Sequence, residues 1–277
     1  MSGVAAAWVD GSLVAPDAAT VSAFDHGLTV GDGVFETLRV YGGTPFALGR
    51  HLDRLGRSAA GLGLPLPDRE VLARACAEVV DAGGLAEARL RLTVTGGPGP
   101  LGSPRGAGPP TVVAAVAPLA PVAPMAAVAV APWPRNERGP LAGLKTTSYA
   151  ENVVLLAWAR ERGAEEAVVA DTTGRLCEGT GANVFVVHDG RLRTPTLASG
   201  CLAGVTRALL LEQTDAEEAD LALDDLASAD EAFLTSSTRE VQPIGSVDGR
   251  PLPAAPGPRT AAARSAFRDL VTGHLDP

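Results

Sequence analysis

Lysine is almost absent from this chain of 277 residues: of its 23 lysines and arginines, only Lys145 is a lysine. Cysteine and histidine are also scarce. The three cysteines and four histidines form no cluster with the spacing of a metal site, so we expect no bound metal. An odd number of cysteines without metal-type spacing is typical of a reducing cytoplasm, the location that we expect for this protein.

The chain lacks the positive charge that a nucleic acid or a membrane surface would attract. Its formal net charge is -9, its pI is about 5.0, and no basic run occurs. No apolar run is long enough to cross a membrane, since residues 111–130 are interrupted by Pro118, Pro121 and Pro124. The first ten residues lack the basic segment and the cleavage pattern of an export signal. We expect neither nucleic acid nor membrane as a partner.

The single lysine is a candidate for covalent chemistry. An arginine guanidinium stays protonated, whereas a lysine amine can lose its proton and form a Schiff base with an aldehyde. A chain that supplies its surface charge as arginine has no need of lysine for solubility. A chance lysine on the surface is the alternative, and the rest of the sequence has to decide between the two.

Hydrophobic periodicity divides the chain into short strands and amphipathic helices. The predicted elements are the hairpin 8–14, strands 34–41, 44–48, 89–95, 112–116, 126–131, 167–170, 183–187 and 231–235, and helices 51–62, 68–83, 149–162, 204–213 and 258–272. Residues 24–33 are predicted to form a glycine-rich loop.

Strands and helices alternate in both halves, which predicts an α+β fold of two mixed α/β lobes. A small N-terminal domain would cover residues 1–117, and a proline-rich linker would follow at residues 118–125. A larger C-terminal domain would then occupy residues 126–277.

Three further stretches could bind a polar ligand. Glu178 lies in a glycine-rich turn just before an apolar strand. The helix that begins near Gly204 offers backbone amides and the Thr206 hydroxyl to an anion, and Ser236 and Ser237 form a hydroxyl cluster after a strand. Alone, Glu178 is more typical of a solvated turn and the helix start of an ordinary capped helix, and a plain turn is the alternative for the two serines. An amine, an acid and two phosphate-binding turns are together what pyridoxal phosphate requires.

In their order and spacing these motifs resemble the fold-type IV pyridoxal-phosphate enzymes, the class IV aminotransferase family. That family includes the D-amino-acid and branched-chain aminotransferases and 4-amino-4-deoxychorismate lyase. The resemblance extends from Trp8 to about Ile244. It implies pyridoxal 5'-phosphate as cofactor, held between two lobes, and a homodimer in which the partner lines part of the pocket.

The resemblance also implies roles for individual residues. Lys145 would form the Schiff base and move protons, and Glu178 would keep the pyridine nitrogen protonated. The residues expected at the cofactor phosphate are Arg54, Val205, Thr206, Ser236 and Ser237. Those expected around the ring are Leu202 on one face, Tyr149 near the phenolic oxygen, and Asn183, which would brace the Glu178 turn.

The substrate pocket of the family would include Phe35 and Thr37. D-amino-acid aminotransferases carry an arginine that is missing from Thr93–Gly97, and branched-chain aminotransferases carry glycine at the position of Thr37. A hydroxyl there resembles the lyases, in which it could protonate the leaving enolpyruvyl group.

We therefore expect a lyase that forms 4-aminobenzoate and pyruvate for folate synthesis, with Thr37 as a catalytic residue. An aminotransferase acting on branched-chain amino acids, D-amino acids or amines is the alternative. The substrate carboxylates would be bound by Arg89, Arg91 or Arg105, and Arg91 is our candidate.

Overall fold

The computed structural model describes residues 3–277, which form two compact units. The first unit ends at Ala120 and also includes Leu144–Tyr149, which carries the lysine, and the C-terminal His274–Pro277. The second unit consists of Pro121–Gly143 and Ala150–Gly273. Two short segments from the later part of the sequence therefore pack with the N-terminal unit.

The first unit is an antiparallel sheet with helices on one face. Its strands are β1 (Ala6–Val9), β2 (Ser12–Val14), β3 (Gly33–Tyr41), β4 (Thr44–Pro45), β5 (Glu87–Thr95) and β6 (Thr111–Ala117), and its helices are α1 (His26–Thr29), α2 (Leu48–Leu62) and α3 (Arg69–Gly83). The strand order is β2-β1-β6-β5-β3-β4. Every second residue of β3 and β5 is buried against α2 and α3, as the alternation predicted.

Two local predictions for this unit were wrong. Helix α2 begins three residues before His51, and Ala47 before it is left-handed, with φ of 54°. The N–H of Ala47 donates to Leu275 O at 2.7 Å, and Gly49 N donates to Asp276 Oδ1 at 2.8 Å, so the C-terminal residues cap this helix. The stretch predicted as a glycine-rich loop contains α1, whose N-cap is Asp25.

The second unit is built on a mixed sheet of nine strands. Its strands are β7 (Ala126–Val130), β8 (Glu166–Ala170), β9 (Leu176–Gly179), β10 (Asn183–His188), β11 (Arg191–Pro195), β12 (Glu217–Ala219), β13 (Glu231–Ser236), β14 (Glu240–Val247) and β15 (Arg250–Pro251). Its helices are α4 (Ala150–Glu161), α5 (Val205–Gln213), α6 (Leu223–Ala227) and α7 (Pro258–Gly273). The strand order is β12-β11-β10-β13-β14-β7-β8-β9, with β15 paired to β14.

The central strands β10 and β13 are buried on both faces. One face contributes to an aliphatic core, and on the other the rings of Phe185 and Phe233 stack with their centroids 4.9 Å apart. This double burial explains why the two strands read as continuous apolar runs rather than alternating ones. Within residues 3–277 no helix is both long and apolar enough to span a membrane.

Candidate active site

Strand β3 carries a carboxylate on its core side. Glu36 lies between Val34 and Leu38 on the face that packs against α2, and none of it is exposed. Arg54 on α2 donates to both of its oxygens, with Nε 2.8 Å from Oε1 and Nη2 2.6 Å from Oε2. The Nδ1 atom of His51 lies 2.7 Å from Oε2. The arginine expected at the cofactor phosphate is therefore held in place by a buried acid.

The charges of this cluster are set by burial and by Arg54. Burial by itself would raise the pKa of Glu36, but the charge and hydrogen bonds of Arg54, with a smaller contribution from His51, lower it to about 2. Burial also lowers the pKa of His51. Glu36 is therefore an anion at neutral pH, and a neutral His51 donates its Nδ1 proton to it.

The backbone of Lys145 is fixed on both sides within the first unit. Its N–H donates to Ser58 Oγ at 3.0 Å, and its carbonyl accepts from Phe35 N at 3.1 Å. Ser58 is four residues after Arg54 on the same face of α2. The helix that presents the arginine thus also positions the lysine.

The opposite face of β3 presents Phe35 and Thr37. The Nζ atom of Lys145 lies 4.3 Å from the Phe35 ring centroid, and the guanidinium carbon of Arg91 lies 3.7 Å from the same centroid. The Tyr149 ring meets Phe35 edge to face at 5.1 Å. Thr37 is directly opposite Arg91 in the ladder of β3 and β5. An amine, a guanidinium, a hydroxyl and two aromatic rings are therefore clustered.

Arg105 is removed from the candidates for binding substrate. Its Nε and Nη2 atoms donate to Asp32 at 2.6 and 2.7 Å, and Nη2 also donates to Leu62 O at 2.8 Å. These bonds attach the loop of residues 96–110 to the end of α2. Arg89 lies on the same face of β5 as Arg91, two residues away.

In the second unit, Glu178 lies on β9, where the sequence predicted a turn. Its Oε2 accepts from Leu202 N at 2.9 Å, and its Oε1 is 3.8 Å from Nη2 of Arg135. Arg135 also donates to Asn152 Oδ1 at 3.0 Å. The carboxylate is thus oriented by one amide and one guanidinium.

The turn that leads into α5 is braced by Asn183. Its amide donates to Leu202 O at 2.9 Å, so it supports the Glu178 carboxylate through Leu202 rather than holding the Glu178 turn itself. A Cβ atom on Gly204 would lie 2.0 Å from Asn183 Oδ1, so only glycine fits without moving the asparagine. Val205 and Thr206 begin the helix and are both buried.

The hydroxyl cluster lies in the turn between β13 and β14. Ser236 ends β13, and its Oγ accepts from Arg239 N at 3.2 Å; Ser237 is the next residue of the turn. The Arg239 guanidinium reaches back to Glu166, with Nη2 2.8 Å from Oε2.

Sequence reasoning missed the residues that hold the predicted ones in place. Glu36 and His51 could have been found, since a charged residue on the apolar face of a strand and a histidine three residues before an arginine are visible in the sequence. Ser58, Arg135 and Glu166 carry no such local sign, because their partners are distant in the chain.

Comparison with known proteins identifies the family. Residues 33–247 match the family described as "Amino-transferase class IV". A relative from Methanocaldococcus jannaschii, provisionally named a branched-chain-amino-acid aminotransferase, is 35% identical over 96% of each chain. A D-alanine aminotransferase from Bacillus licheniformis is 32% identical over 95% of each chain. The chain belongs to the class IV aminotransferase family.

Solved structures share the whole fold. The branched-chain aminotransferase of Escherichia coli superposes with a TM-score of 0.90 at 28% identity, covering 96% of this chain and 94% of the other. That of Thermoproteus uzoniensis, solved with norvaline, has a TM-score of 0.90 at 30% identity, covering 98% and 96%. The predicted fold class, the fold-type IV architecture, is confirmed.

These comparisons also bear on cofactor and reaction. Class IV aminotransferases use pyridoxal phosphate, and a further branched-chain aminotransferase of the same fold was solved with N-(5'-phosphopyridoxyl)-L-glutamate, so the predicted cofactor is confirmed. The named relatives are aminotransferases rather than lyases. They support the aminotransferase that was held as the alternative, in place of the lyase expected first.

Donor atoms in the second unit fit an anionic cofactor. Arg135 Nε, Thr235 Oγ1 and Arg239 Nη1 are buried without a hydrogen-bond partner among residues 3–277. Buried donors of this kind are normally satisfied by a ligand or water. In the same part of the chain no group of three or more histidine, cysteine or acidic residues could hold a metal ion.

The Glu36 cluster should make stability depend on pH. Its pKa falls from an ordinary 4.5 to about 2, and that of His51 falls below 6.5, so the unfolded chain binds protons that the folded chain does not. The stability that this cluster contributes is fully present above the pKa values of the unfolded chain. It should be lost as the pH falls through the lower pKa values of the folded chain. Urea unfolding between pH 7 and pH 3 measures this.

Glu36→Gln should be less stable at pH 7, because Arg54 is left buried without its anion. Its stability should also fall less steeply below pH 4.5 than that of the wild type. Glu87→Gln, at a half-exposed ion pair on β5, is the matched control and should keep the wild-type slope. Equal slopes for Glu36→Gln and wild type would contradict the assignment.

Proposed function

We propose that this protein is a pyridoxal-phosphate-dependent aminotransferase that moves an amino group between a branched-chain amino acid and a 2-oxo acid. The observation that carries the proposal is the meeting of Lys145 Nζ and the Arg91 guanidinium on the Phe35 ring. An amino-acid substrate needs a reactive amine at one end and a cation for its carboxylate at the other. The names of the relatives support the branched-chain class.

The residues that would hold the cofactor are those that the family resemblance implies. In the first unit these are Lys145, as the covalent anchor, and Arg54, at the phosphate. In the second they are Glu178 at the ring nitrogen, Leu202 on the ring face, and Val205, Thr206, Ser236 and Ser237 at the phosphate. When bound, pyridoxal phosphate supplies an electron sink that stabilises the carbanion formed when the α-proton leaves.

Lys145 would also serve as the general base. Its backbone is held by hydrogen bonds to Ser58 and Phe35, so the side chain extends from a fixed backbone position. The Nζ atom would take the α-proton and return it to the carbon on the other side of the amino nitrogen, so that the amino group stays behind when the 2-oxo acid leaves. The Nζ atom lies 4.3 Å from the Phe35 ring centroid and 5.9 Å from that of Tyr149.

Glu178 would accept a hydrogen bond from the protonated ring nitrogen. The Leu202 amide and the Arg135 guanidinium would orient the carboxylate for this role. Asn183 would act through Leu202, and Tyr149 would lie near the phenolic oxygen.

The substrate side chain would lie against the Phe35 ring and its carboxylate on Arg91. Thr37, directly opposite Arg91, would line this pocket rather than donate a proton to a leaving group. An aliphatic side chain suits the aromatic surface of Phe35 and Tyr149, because apolar contacts there need no charged partner.

The proposed reaction is tested by a product panel on the purified holoenzyme. L-leucine, L-valine and D-alanine are each supplied with 2-oxoglutarate, and aminodeoxychorismate is supplied without a 2-oxo acid. We expect glutamate from the two branched-chain substrates. Release of 4-aminobenzoate and pyruvate without amino-group transfer would show that the enzyme is a lyase. Amino-group transfer from D-alanine alone would show that D-amino acids are the substrates.

In the same panel, Lys145→Ala and Lys145→Arg should both lose at least about a thousandfold in rate, since neither retains a nucleophilic amine. Lys145→Arg is the matched variant because it keeps the charge. Turnover by either variant above contamination would overturn the role of Lys145.

Arg91→Met should raise KM for the amino acid by about tenfold or more, because a charge-assisted hydrogen bond to its carboxylate is lost. Arg89→Met, on the same face of β5, is the control and should stay within about threefold of the wild type. The check is steady-state kinetics with L-leucine. Equal KM values for the two variants would exclude Arg91 as the carboxylate site.

We also propose that the enzyme acts as a homodimer in the cytoplasm, as the family resemblance implies. Light scattering of the holoenzyme tests the first point, and a mass of one chain, 28.1 kDa, would contradict it.

A further inference from the structure

A buried acid in the second unit lies next to two of the proposed cofactor-binding turns. Glu166 begins β8, and none of it is exposed. Its Oε1 accepts from Thr180 N at 2.9 Å and also from the Thr180 hydroxyl. Thr180 comes two residues after Glu178, the acid proposed to bond to the ring nitrogen. One oxygen of Glu166 therefore holds the backbone that follows Glu178.

The other oxygen of Glu166 faces the turn that carries Ser236 and Ser237, which we call the hydroxyl turn. Arg239 Nη2 lies 2.8 Å from Oε2, and Arg239 N donates to Ser236 Oγ. Arg239 therefore donates a hydrogen bond to the turn through its backbone and forms an ion pair with Glu166 through its side chain. One acid thus ties together the turn that carries Glu178 and the turn that carries Ser236.

The connection continues to Glu178 itself. Thr180 O accepts from Asn152 Nδ2 at 2.6 Å, and Asn152 Oδ1 accepts from Arg135, which lies 3.8 Å from Glu178. A continuous series of contacts therefore joins Ser236 to Glu178 inside the second unit.

The positive charge of Arg239 pairs with the buried carboxylate of Glu166. A fully buried carboxylate without a cation is costly, and beside a turn that binds phosphate it would also repel the ligand. We propose that Arg239 is a positioning residue for the cofactor, which neutralises Glu166 and holds the hydroxyl turn at the correct distance from Glu178. This inference rests on the proposed cofactor role of the second unit.

The test is a titration of apoprotein with pyridoxal phosphate and, separately, with pyridoxal, which lacks the phosphate. Arg239→Met should weaken pyridoxal-phosphate binding by about tenfold or more, while the affinity for pyridoxal changes by less than about threefold. Removing both charges in the double variant Glu166→Gln with Arg239→Met should recover most of the lost affinity, because no unpaired anion remains. Arg239→Lys keeps the cation and should stay close to the wild type.

Arg268→Met, on the exposed face of α7, is the matched control and should bind both ligands as the wild type does. Thermal unfolding of each apoprotein measures any general loss of structure. If Arg239→Met does not fold, Arg239→Lys and the double variant still decide the outcome.

Three results would overturn the inference. They are equal affinity of Arg239→Met and Arg268→Met for pyridoxal phosphate, equal weakening of pyridoxal and pyridoxal phosphate, and a double variant as weak as or weaker than Arg239→Met. The titration measures no turnover, so its failure is distinguishable from failure of the product panel, which tests the proposed function.

Discussion

The burial of the Glu36 carboxylate is the constraint on which the first unit depends. An anion in an aliphatic core requires a cation and hydrogen-bond donors, and α2 supplies them as Arg54 and His51. This requirement fixes the rotation of α2 against the sheet. The same face of the helix then offers Ser58 to the backbone of Lys145. Neutralising one charge thereby positions the backbone of the only lysine in the chain.

Two acids of the second unit also lie next to arginine side chains. Glu166 is paired with Arg239, and Glu178 with Arg135. Arginine suits these positions because its guanidinium stays charged when partly buried and can bond to more than one acceptor. Lysine would be a weaker choice there, since burial favours its neutral form. Arginine therefore occupies the positions where a permanent positive charge is needed. Lysine occurs only at position 145, where we propose that the amine loses its proton.

Much of the fold was predictable because periodicity is local. The alternation of β3 and β5, the helix after Asp68 and its end at Gly84 were all confirmed. The start of α2 was not, because its cap comes from residues about 230 positions away. Of the candidate site, the motif residues could be named, but Glu36 was read only as part of a strand, and Arg105 could be excluded only once its bonds to Asp32 were visible.

The sequence by itself determined the class of protein: a single lysine, an acidic turn and two phosphate-type turns, in one order, are enough to indicate the cofactor. Only the tertiary structure decided which arginine meets the Phe35 ring, which hydroxyl holds the Lys145 backbone, and which acid pairs with the arginine of the Ser236–Ser237 turn. Motifs depend on neighbours within a few residues. Cross-strand register and helix packing bring together groups that are far apart in the chain, and no short stretch of sequence specifies those pairs.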